Sequence, residues 1–157
     1  MSPPSYDKWN EMFKVYSICT LVLFVKYFLT TMWAIDSSLR PEEDKLLPLL
    51  PVPDDIKRRQ RAFLNDVENI PFHMAILWGA FIVQNYCNAS GHGDHETSGL
   101  IILIIIYTAA RFLHTTCYLL ALQPFRSLAY MIGQGAILAT CGVMISSAFK
   151  VDLNYGL

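Results

Sequence analysis

Three stretches of the sequence carry polar and charged side chains at helical spacing, and each of them adjoins a long apolar segment. A spacing of three or four residues places side chains on one face of an α-helix. The stripes consist of Arg58, Arg61, Asn65 and Glu68 in the first stretch, Arg111, His114 and Tyr118 in the second, and Arg126, Tyr130 and Gln134 in the third. Because charged groups are costly in hydrocarbon, polar stripes beside apolar segments indicate a candidate functional site.

The charges of these stripes do not balance. Arg61, Arg111 and Arg126 supply positive charge, whereas Asp66 and Glu68 supply less negative charge. The surplus favours a site for a small anionic ligand. A structural interpretation stays open beside it, because Arg111 could pair with Glu68 or Asp66. Tyrosine and glutamine side chains also often hydrogen-bond between helices in a bilayer.

Arg126 stands in the first turn of a predicted helix that begins at about Pro124. Unpaired N–H groups and the helix dipole add positive potential at such a position, and both an arginine and a helix N-terminus stabilise a thiolate. Lowering a thiol pKa from about 8.5 to about 6.5 requires only ~2.7 kcal/mol, which one well-placed charge can supply in a partly dry site. We therefore expect Arg126 to activate a bound thiol, with Ser127 beside it and without a protein nucleophile.

Membrane-spanning helices are the elements that must position these stripes. The chain has 157 residues, of which 54% are hydrophobic, and its mean hydropathy of +0.35 is high for a soluble protein. A helix needs roughly 20 apolar residues to cross the hydrocarbon, and segments of about this length lie at about 15–35, 70–86, 99–122 and 125–149. Acidic capping residues predict that the second helix begins near Asp54, which gives it a cytosolic extension over about 54–69. The prediction is a single all-α domain over 1–157, an integral membrane four-helix bundle.

The distribution of lysine and arginine predicts the orientation of the bundle. The connection 36–69 contains Arg40, Lys45, Lys57, Arg58, Arg59 and Arg61, whereas 87–98 contains neither residue type. Basic connections stay in the cytosol, so we expect the polar stripes to face the cytosol and both termini to face the lumen. The first segment carries Lys26 and lacks a clear cleavage site, which is typical of a retained span rather than a signal peptide.

Other polar features of the sequence favour simpler interpretations. Asn88-Ala89-Ser90 is a glycosylation sequon, but its closeness to the membrane favours a chance occurrence. The GHGDHE stretch at 91–96 indicates a solvated turn rather than a metal site, and His73 is typical of a core histidine. The four cysteines show no metal-binding spacing and are interpreted as small buried residues. A net charge of −1 gives no reason to expect a nucleic-acid partner.

In their sequence context, the stripes resemble the MAPEG family (membrane-associated proteins in eicosanoid and glutathione metabolism). The resemblance rests on RAFLNDVENI followed by PF, on AARFLHTTCYL and on PFRSLAY, and PEED at 41–44 is similar to the family's Pro-Glu-Asp segment. It implies a homotrimer of four-helix subunits in the endoplasmic reticulum or a related membrane. It also implies glutathione as co-substrate, bound in a cytosol-facing cleft between subunits.

The resemblance carries over a set of site residues. Arg126 is similar to the family arginine that stabilises the thiolate, and Ser127 is a second candidate catalytic residue. Glutathione contacts are implied for Arg61, Asn65, Glu68, Arg111, His114, Tyr118, Tyr130 and Gln134, and less directly for Arg40 and Lys26.

Two branches of the family remain open. The stretch 64–69, LNDVEN, is similar to the microsomal glutathione transferases, whereas prostaglandin E synthases have His-Arg-Asn-Asp where this chain has Phe63-Leu64-Asn65-Asp66. Arg126-Ser127, in contrast, is similar to the synthases. We expect a glutathione transferase acting on hydrophobic electrophiles, and the same thiolate is compatible with peroxidase activity on lipid hydroperoxides. The alternatives are a glutathione-dependent prostaglandin E synthase and a non-catalytic lipid-binding scaffold.

Overall fold

The computed structural model describes residues 4–34, 54–89 and 96–155, with side chains over 7–32, 57–89 and 96–149. These residues form four α-helices: α1 Pro4–Ala34, α2 Asp54–Ala89, α3 Glu96–Leu119 and α4 Gln123–Tyr155. The all-α four-helix prediction is confirmed. Arg40 and most of the GHGDHE stretch lie outside the described residues.

Three of the described helices are long and apolar enough to cross a membrane, over Asp7–Met32, Glu96–Leu119 and Gln123–Phe149. The helix α2 differs from them, because its first half is highly charged and ends at Pro71, and its second half contains His73 and Gln84. The chain is therefore an integral membrane protein, and a span within α2 at 70–86 stays a prediction. The helix α2 begins at Asp54 and continues through Pro71 without interruption.

The helices pack so that α2 and α3 form the centre of the bundle. Within the described residues, α1 packs against α2 and α3, and α4 packs against the same two helices, but α1 and α4 do not contact each other. The core between them is apolar and includes Met12, Tyr16, Leu23, Leu77, Leu100, Ile104, Tyr107, Ala136 and Ile137. Side chains of α2 and α3 can thus reach both outer helices.

A tight turn joins α3 to α4 and sets the position of the α4 N-terminus. Leu122 donates its backbone N–H to the carbonyl of Cys117 at 2.9 Å, and Ala121 donates to that of Tyr118 at 3.2 Å. This pair of hydrogen bonds is a Schellman motif, which places a left-handed residue just after the helix. Ala121 occupies that place with φ of 59°, although glycine adopts this conformation with less strain.

Candidate functional site

A cleft of about 320 Å³ lies where α2, α3 and α4 converge near the α3–α4 turn. We call it the aromatic cleft, and its lining consists of Asn65, His114, Tyr118, Arg126, Ser127, Tyr130 and Met131. All of these except Met131 belong to the residues predicted for the site. The bundle therefore brings side chains from three separate stretches of sequence to one concave surface.

The rings of the aromatic cleft hold Arg126 without an ionic partner. The His114 ring lies 5.9 Å from the Tyr118 ring and 5.9 Å from the Tyr130 ring, centroid to centroid. The Arg126 guanidinium carbon lies 4.8 Å from the centroid of the Tyr118 ring, which is a cation–π contact. Among the described residues, no carboxylate forms an ion pair with Arg126. Its positive charge is therefore available to an anion in the cleft.

A second cleft of about 410 Å³ adjoins the first and is strongly basic. We call it the basic cleft, and its lining consists of Lys57, Arg58, Arg61, Cys117, Tyr118, Ala121, Gln123 and Arg126. Tyr118 and Arg126 line both clefts. Neither described lining includes an aspartate or a glutamate, so the combined surface suits a ligand with several negative charges.

The N-terminus of α4 adds less to this positive potential than its sequence position suggested. The backbone N–H of Gln123 donates to the carbonyl of Ala121 at 3.1 Å, and that of Arg126 donates to the carbonyl of Leu122 at 3.0 Å. Pro124 has no N–H to offer. In the first turn of α4, as the structure describes it, only Phe125 retains an uncommitted amide. The Arg126 side chain is consequently the main source of positive charge at this point.

Arg111 is buried behind the aromatic cleft, with 2% of its surface exposed. Its Nη2 donates to Oδ1 of Asp66 at 2.7 Å and to Oδ1 of Asn65 at 2.7 Å. Arg111 lines neither cleft. Arg111 thus forms the structural ion pair that the sequence analysis left open, and its partner is Asp66 rather than Glu68.

Lys26 reaches the same carboxylate from α1. Its ammonium group forms an ion pair with Oδ2 of Asp66 and lies 5.9 Å from the centroid of the Phe112 ring. The Thr30 hydroxyl lies 3.2 Å from Oδ2, and it is closer to the Lys26 carbonyl, at 2.8 Å. Lys26, Asp66 and Arg111 are all buried. They form a triad with one negative and two positive groups that joins α1, α2 and α3.

The other predicted residues take different places. Arg61 is exposed and lines the basic cleft, whereas Glu68 is exposed and lines neither cleft. Gln134 donates its Nε2 to Oδ1 of Asn69 at 3.2 Å, which links α4 to α2 beside the site. The glutathione contacts expected of Glu68, Gln134 and Lys26 stay predictions.

Two residues outside the predicted glutathione-binding set belong to this polar layer: Asp66, which the sequence offered as one of two partners for Arg111, and Tyr107, which it did not single out. Asp66 holds the triad together, and the Tyr107 hydroxyl lies 2.9 Å from Nδ1 of His73. That contact confirms His73 as a core histidine. Tyr107 precedes Arg111 by four residues and so extends the α3 stripe, but it sits in the apolar run LIILIIIY. Its spacing was the signal that could have found it.

Asn88, the first residue of the glycosylation sequon, lies near the C-terminal end of α2, at the end of the bundle opposite the two clefts. Asn88 donates its Nδ2 to the hydroxyl of Thr97 at 3.2 Å. This hydrogen bond engages the atom to which a glycan would be attached.

All four cysteines are free thiols, and three of them are buried. No cluster of metal-binding side chains occurs among the described residues.

Comparison with known proteins adds one match. The model of the MAPEG family matches residues 15–146, which include α2, α3 and both clefts. No curated protein matches the chain.

Proposed function

The chain belongs to the MAPEG family, and from this premise we propose that it is a membrane-bound glutathione transferase. The observation that carries the proposal is the position of Arg126, a cation without a carboxylate partner that lines both the aromatic and the basic cleft. We expect the enzyme to lie in the endoplasmic reticulum or a related membrane. In the orientation that the distribution of lysine and arginine predicts, both clefts face the cytosol and both termini face the lumen.

The charges of glutathione suit the two clefts. The tripeptide has two carboxylates, one ammonium group and a thiol. Its carboxylates would find Arg58 and Arg61 in the basic cleft, while the amide of Asn65 and the His114 ring offer polar contacts in the aromatic cleft. With the peptide held in this way, its thiol lies near Arg126 and Ser127, and fixing the thiol there lowers the entropic barrier of a bimolecular reaction.

Arg126 would stabilise the thiolate in this position. The thiol proton passes to water, and the guanidinium, supported by a hydrogen bond from the Ser127 hydroxyl, stabilises the sulfur anion. The sulfur then forms a bond to an electrophilic carbon, and the leaving group departs with its electron pair. In the peroxidase reaction the same thiolate would attack the terminal oxygen of a lipid hydroperoxide, the O–O bond would break, and the lipid alkoxide would leave and take a proton from water. The thiol of a second glutathione would then attack the sulfur of the resulting sulfenic acid, which gives glutathione disulfide and water.

The apolar electrophile has a direct route from the bilayer. Met131 lines the aromatic cleft, and its side chain is 67% exposed on the outer face of α4. Phe125 and Leu128 are also exposed there. An apolar surface that continues into a polar cleft allows a lipid-soluble substrate to approach the thiolate without crossing water.

Purified protein in detergent tests the proposal. Glutathione should produce the ultraviolet absorbance of a bound thiolate, and a chloronitrobenzene electrophile should be conjugated at a rate that saturates with glutathione. A protein that binds glutathione and forms thiolate, yet conjugates no member of an electrophile panel, would contradict the transferase assignment. Absence of any glutathione-dependent thermal shift or thiolate would instead favour the lipid-binding scaffold.

A glutathione-dependent prostaglandin E synthase is the second candidate. Ser127 favours it, because its side chain is exposed and lines the aromatic cleft next to Arg126, and the sequence resembles the synthases at this pair. The direct comparison is turnover of the prostaglandin endoperoxide against turnover of the chloronitrobenzene. Isomerisation of the endoperoxide alone would decide for the synthase.

The proposed enzyme is a homotrimer, as the family resemblance implies. Glu68 is exposed and lies outside both clefts of one subunit, so a contact with glutathione would require the ligand to extend toward a neighbouring subunit. Native mass spectrometry in detergent should show a trimer. A monomer that retains full activity would contradict the proposal that glutathione is bound between two subunits.

A further inference from the structure

The two carboxylate oxygens of Asp66 serve different helices. Oδ2 accepts a hydrogen bond from Lys26 and lies 3.2 Å from the Thr30 hydroxyl, and both of these residues are on α1. Oδ1 accepts from Nη2 of Arg111 on α3 at 2.7 Å. Asp66 is 0% exposed and is absent from the described lining of both clefts. Any effect of Asp66 on a bound ligand must therefore pass through another side chain.

Arg111 connects Asp66 to the wall of the aromatic cleft. The same Nη2 that donates to Asp66 also donates to Oδ1 of Asn65 at 2.7 Å, and it lies 3.4 Å from the Asn65 carbonyl. A guanidinium group has donors but no acceptor. The atom of the Asn65 amide that it contacts must consequently be the oxygen rather than the nitrogen. The ion pair with Asp66 thus fixes which way round the Asn65 amide stands.

The amide nitrogen of Asn65 is the group that remains for the cleft. Asn65 lines the aromatic cleft, and within the described residues its Nδ2 donates to no other side chain or carbonyl. Because Oδ1 is committed to Arg111, Asn65 offers hydrogen-bond donors there. A ligand group at this point is selected for its ability to accept hydrogen bonds.

We infer that Asp66 is a positioning residue of the site: through Arg111 it holds the Asn65 amide with its NH2 group available to the aromatic cleft, so that Asn65 recognises an acceptor. In glutathione that acceptor is a peptide carbonyl or a carboxylate oxygen. The identity of the ligand rests on the proposed function, whereas the orientation of Asn65 does not.

A double-mutant cycle on glutathione affinity tests the inference. Asp66→Asn removes the charge that holds Arg111, and the Kd for glutathione should rise about tenfold, the effect of losing roughly one hydrogen bond. In an Asn65→Ala background the same substitution should change the Kd by less than about twofold, because the positioned group is absent. An equal rise of the Kd in both backgrounds would overturn the inference, since a general structural effect would be additive.

Thr30→Val is the matched control. It removes a polar neighbour of the same carboxylate, on the side away from Arg111, since the Thr30 hydroxyl lies 3.2 Å from Oδ2 of Asp66. The Kd for glutathione should stay at its wild-type value in this variant. A rise as large as that of Asp66→Asn would indicate that any disturbance of the carboxylate suffices, which contradicts a path through Arg111.

A measurement without ligand separates this inference from the proposed function. In protein labelled with ¹⁵N-asparagine, the Asn65 side-chain amide can be assigned by its loss in Asn65→Ala. Asp66→Asn should shift the Asn65 signal, which is told apart from the new amide at position 66 by its loss when Asn65→Ala is added, and Thr30→Val should leave it unchanged. An unchanged signal overturns the inference whatever the protein binds. Failure of the wild type to bind glutathione refutes the proposed function alone.

Folding of the charge variant needs its own safeguard. Asp66→Asn leaves Lys26 and Arg111 without a counterion, and a buried uncompensated charge destabilises a fold. If that variant does not fold, Lys26→Met combined with Asp66→Asn takes its place, because the pair of substitutions restores the original net charge of the triad. The same amide signal and the same cycle then apply to the double variant.

Discussion

The Arg126 guanidinium lies against the face of the Tyr118 ring, 4.8 Å from its centroid, and these two side chains line both clefts. The aromatic face holds the cation in place without neutralising it, because a ring carries no net charge. A carboxylate in the same position would neutralise the guanidinium charge of Arg126, which would then stabilise a thiolate less. This relationship gives the site its clearest mutational tests.

Arg126→Ala should lower kcat more than it weakens glutathione binding. The contact of the guanidinium with sulfur strengthens as charge develops there, so its loss should reduce kcat by roughly 100-fold. Steady-state kinetics with a chloronitrobenzene and titration of the bound thiolate absorbance measure the two effects. Arg59→Ala is the control, because Arg59 is a cation on the charged first half of α2 that lines neither cleft. Equal losses in the two variants would mean that only overall charge matters.

Arg61→Ala should show the opposite pattern. Arg61 lies in the basic cleft, away from the proposed position of the thiol, and would bind a carboxylate equally in the ground state and the transition state. Its loss should raise the KM for glutathione by roughly tenfold, the effect of ~1.4 kcal/mol, with little change in kcat. The salt dependence of KM should weaken in the same variant. A large fall in kcat at unchanged KM would place Arg61 at the reacting sulfur instead.

Ala121→Gly should stabilise the protein. The left-handed backbone at Ala121 costs an L-residue about 1 kcal/mol that glycine avoids, and the gain should appear as a higher midpoint of thermal unfolding in detergent. Ala139→Gly provides the control of opposite sign. Ala139 is an exposed residue in the interior of α4, where glycine costs roughly 1 kcal/mol. Destabilisation by both substitutions would contradict the strain at the turn.

Substitutions in the buried triad should destabilise the protein to different degrees. Lys26→Met leaves Asp66 paired with Arg111, so the remaining groups are neutral overall. Asp66→Asn leaves two cations without a counterion and should cost about 3–5 kcal/mol, the usual effect of breaking a buried ion pair. Chemical denaturation in mild detergent gives the order. A larger loss in Lys26→Met than in Asp66→Asn would show that Asp66 is not the anchor of the triad.

Helical spacing predicted the faces of the site but could not predict how the helices are rotated against one another. It grouped His114 with Tyr118 and Arg126 with Tyr130, and the bundle brings both pairs to the aromatic cleft. It could not choose between Asp66 and Glu68 as the partner of Arg111, because that choice depends on which side of α2 faces α3.

Helical spacing also could not predict which residues of a stripe lie at the height of the clefts along the helix axis. Glu68 shares a face with Arg61, but seven residues separate them, or about 10 Å of helix. Only Arg61 reaches the described wall of a cleft. The number of free amides at the α4 N-terminus was also not evident from the sequence, since the amide of Gln123 donates to the carbonyl of Ala121 in the preceding turn.

The ion pair between Lys26 and Asp66 also has a consequence for biogenesis. When α1 first enters the bilayer, its lysine has no counterion there, because Asp66 lies 40 residues farther along the chain and arrives later with α2. A lone charge at that depth weakens the insertion of an isolated helix. When α2 arrives, Asp66 pairs with Lys26, and this ion pair stabilises α1 in the membrane. The two helices are thus expected to leave the insertion machinery as a pair, so the order of synthesis is part of how this membrane protein is built.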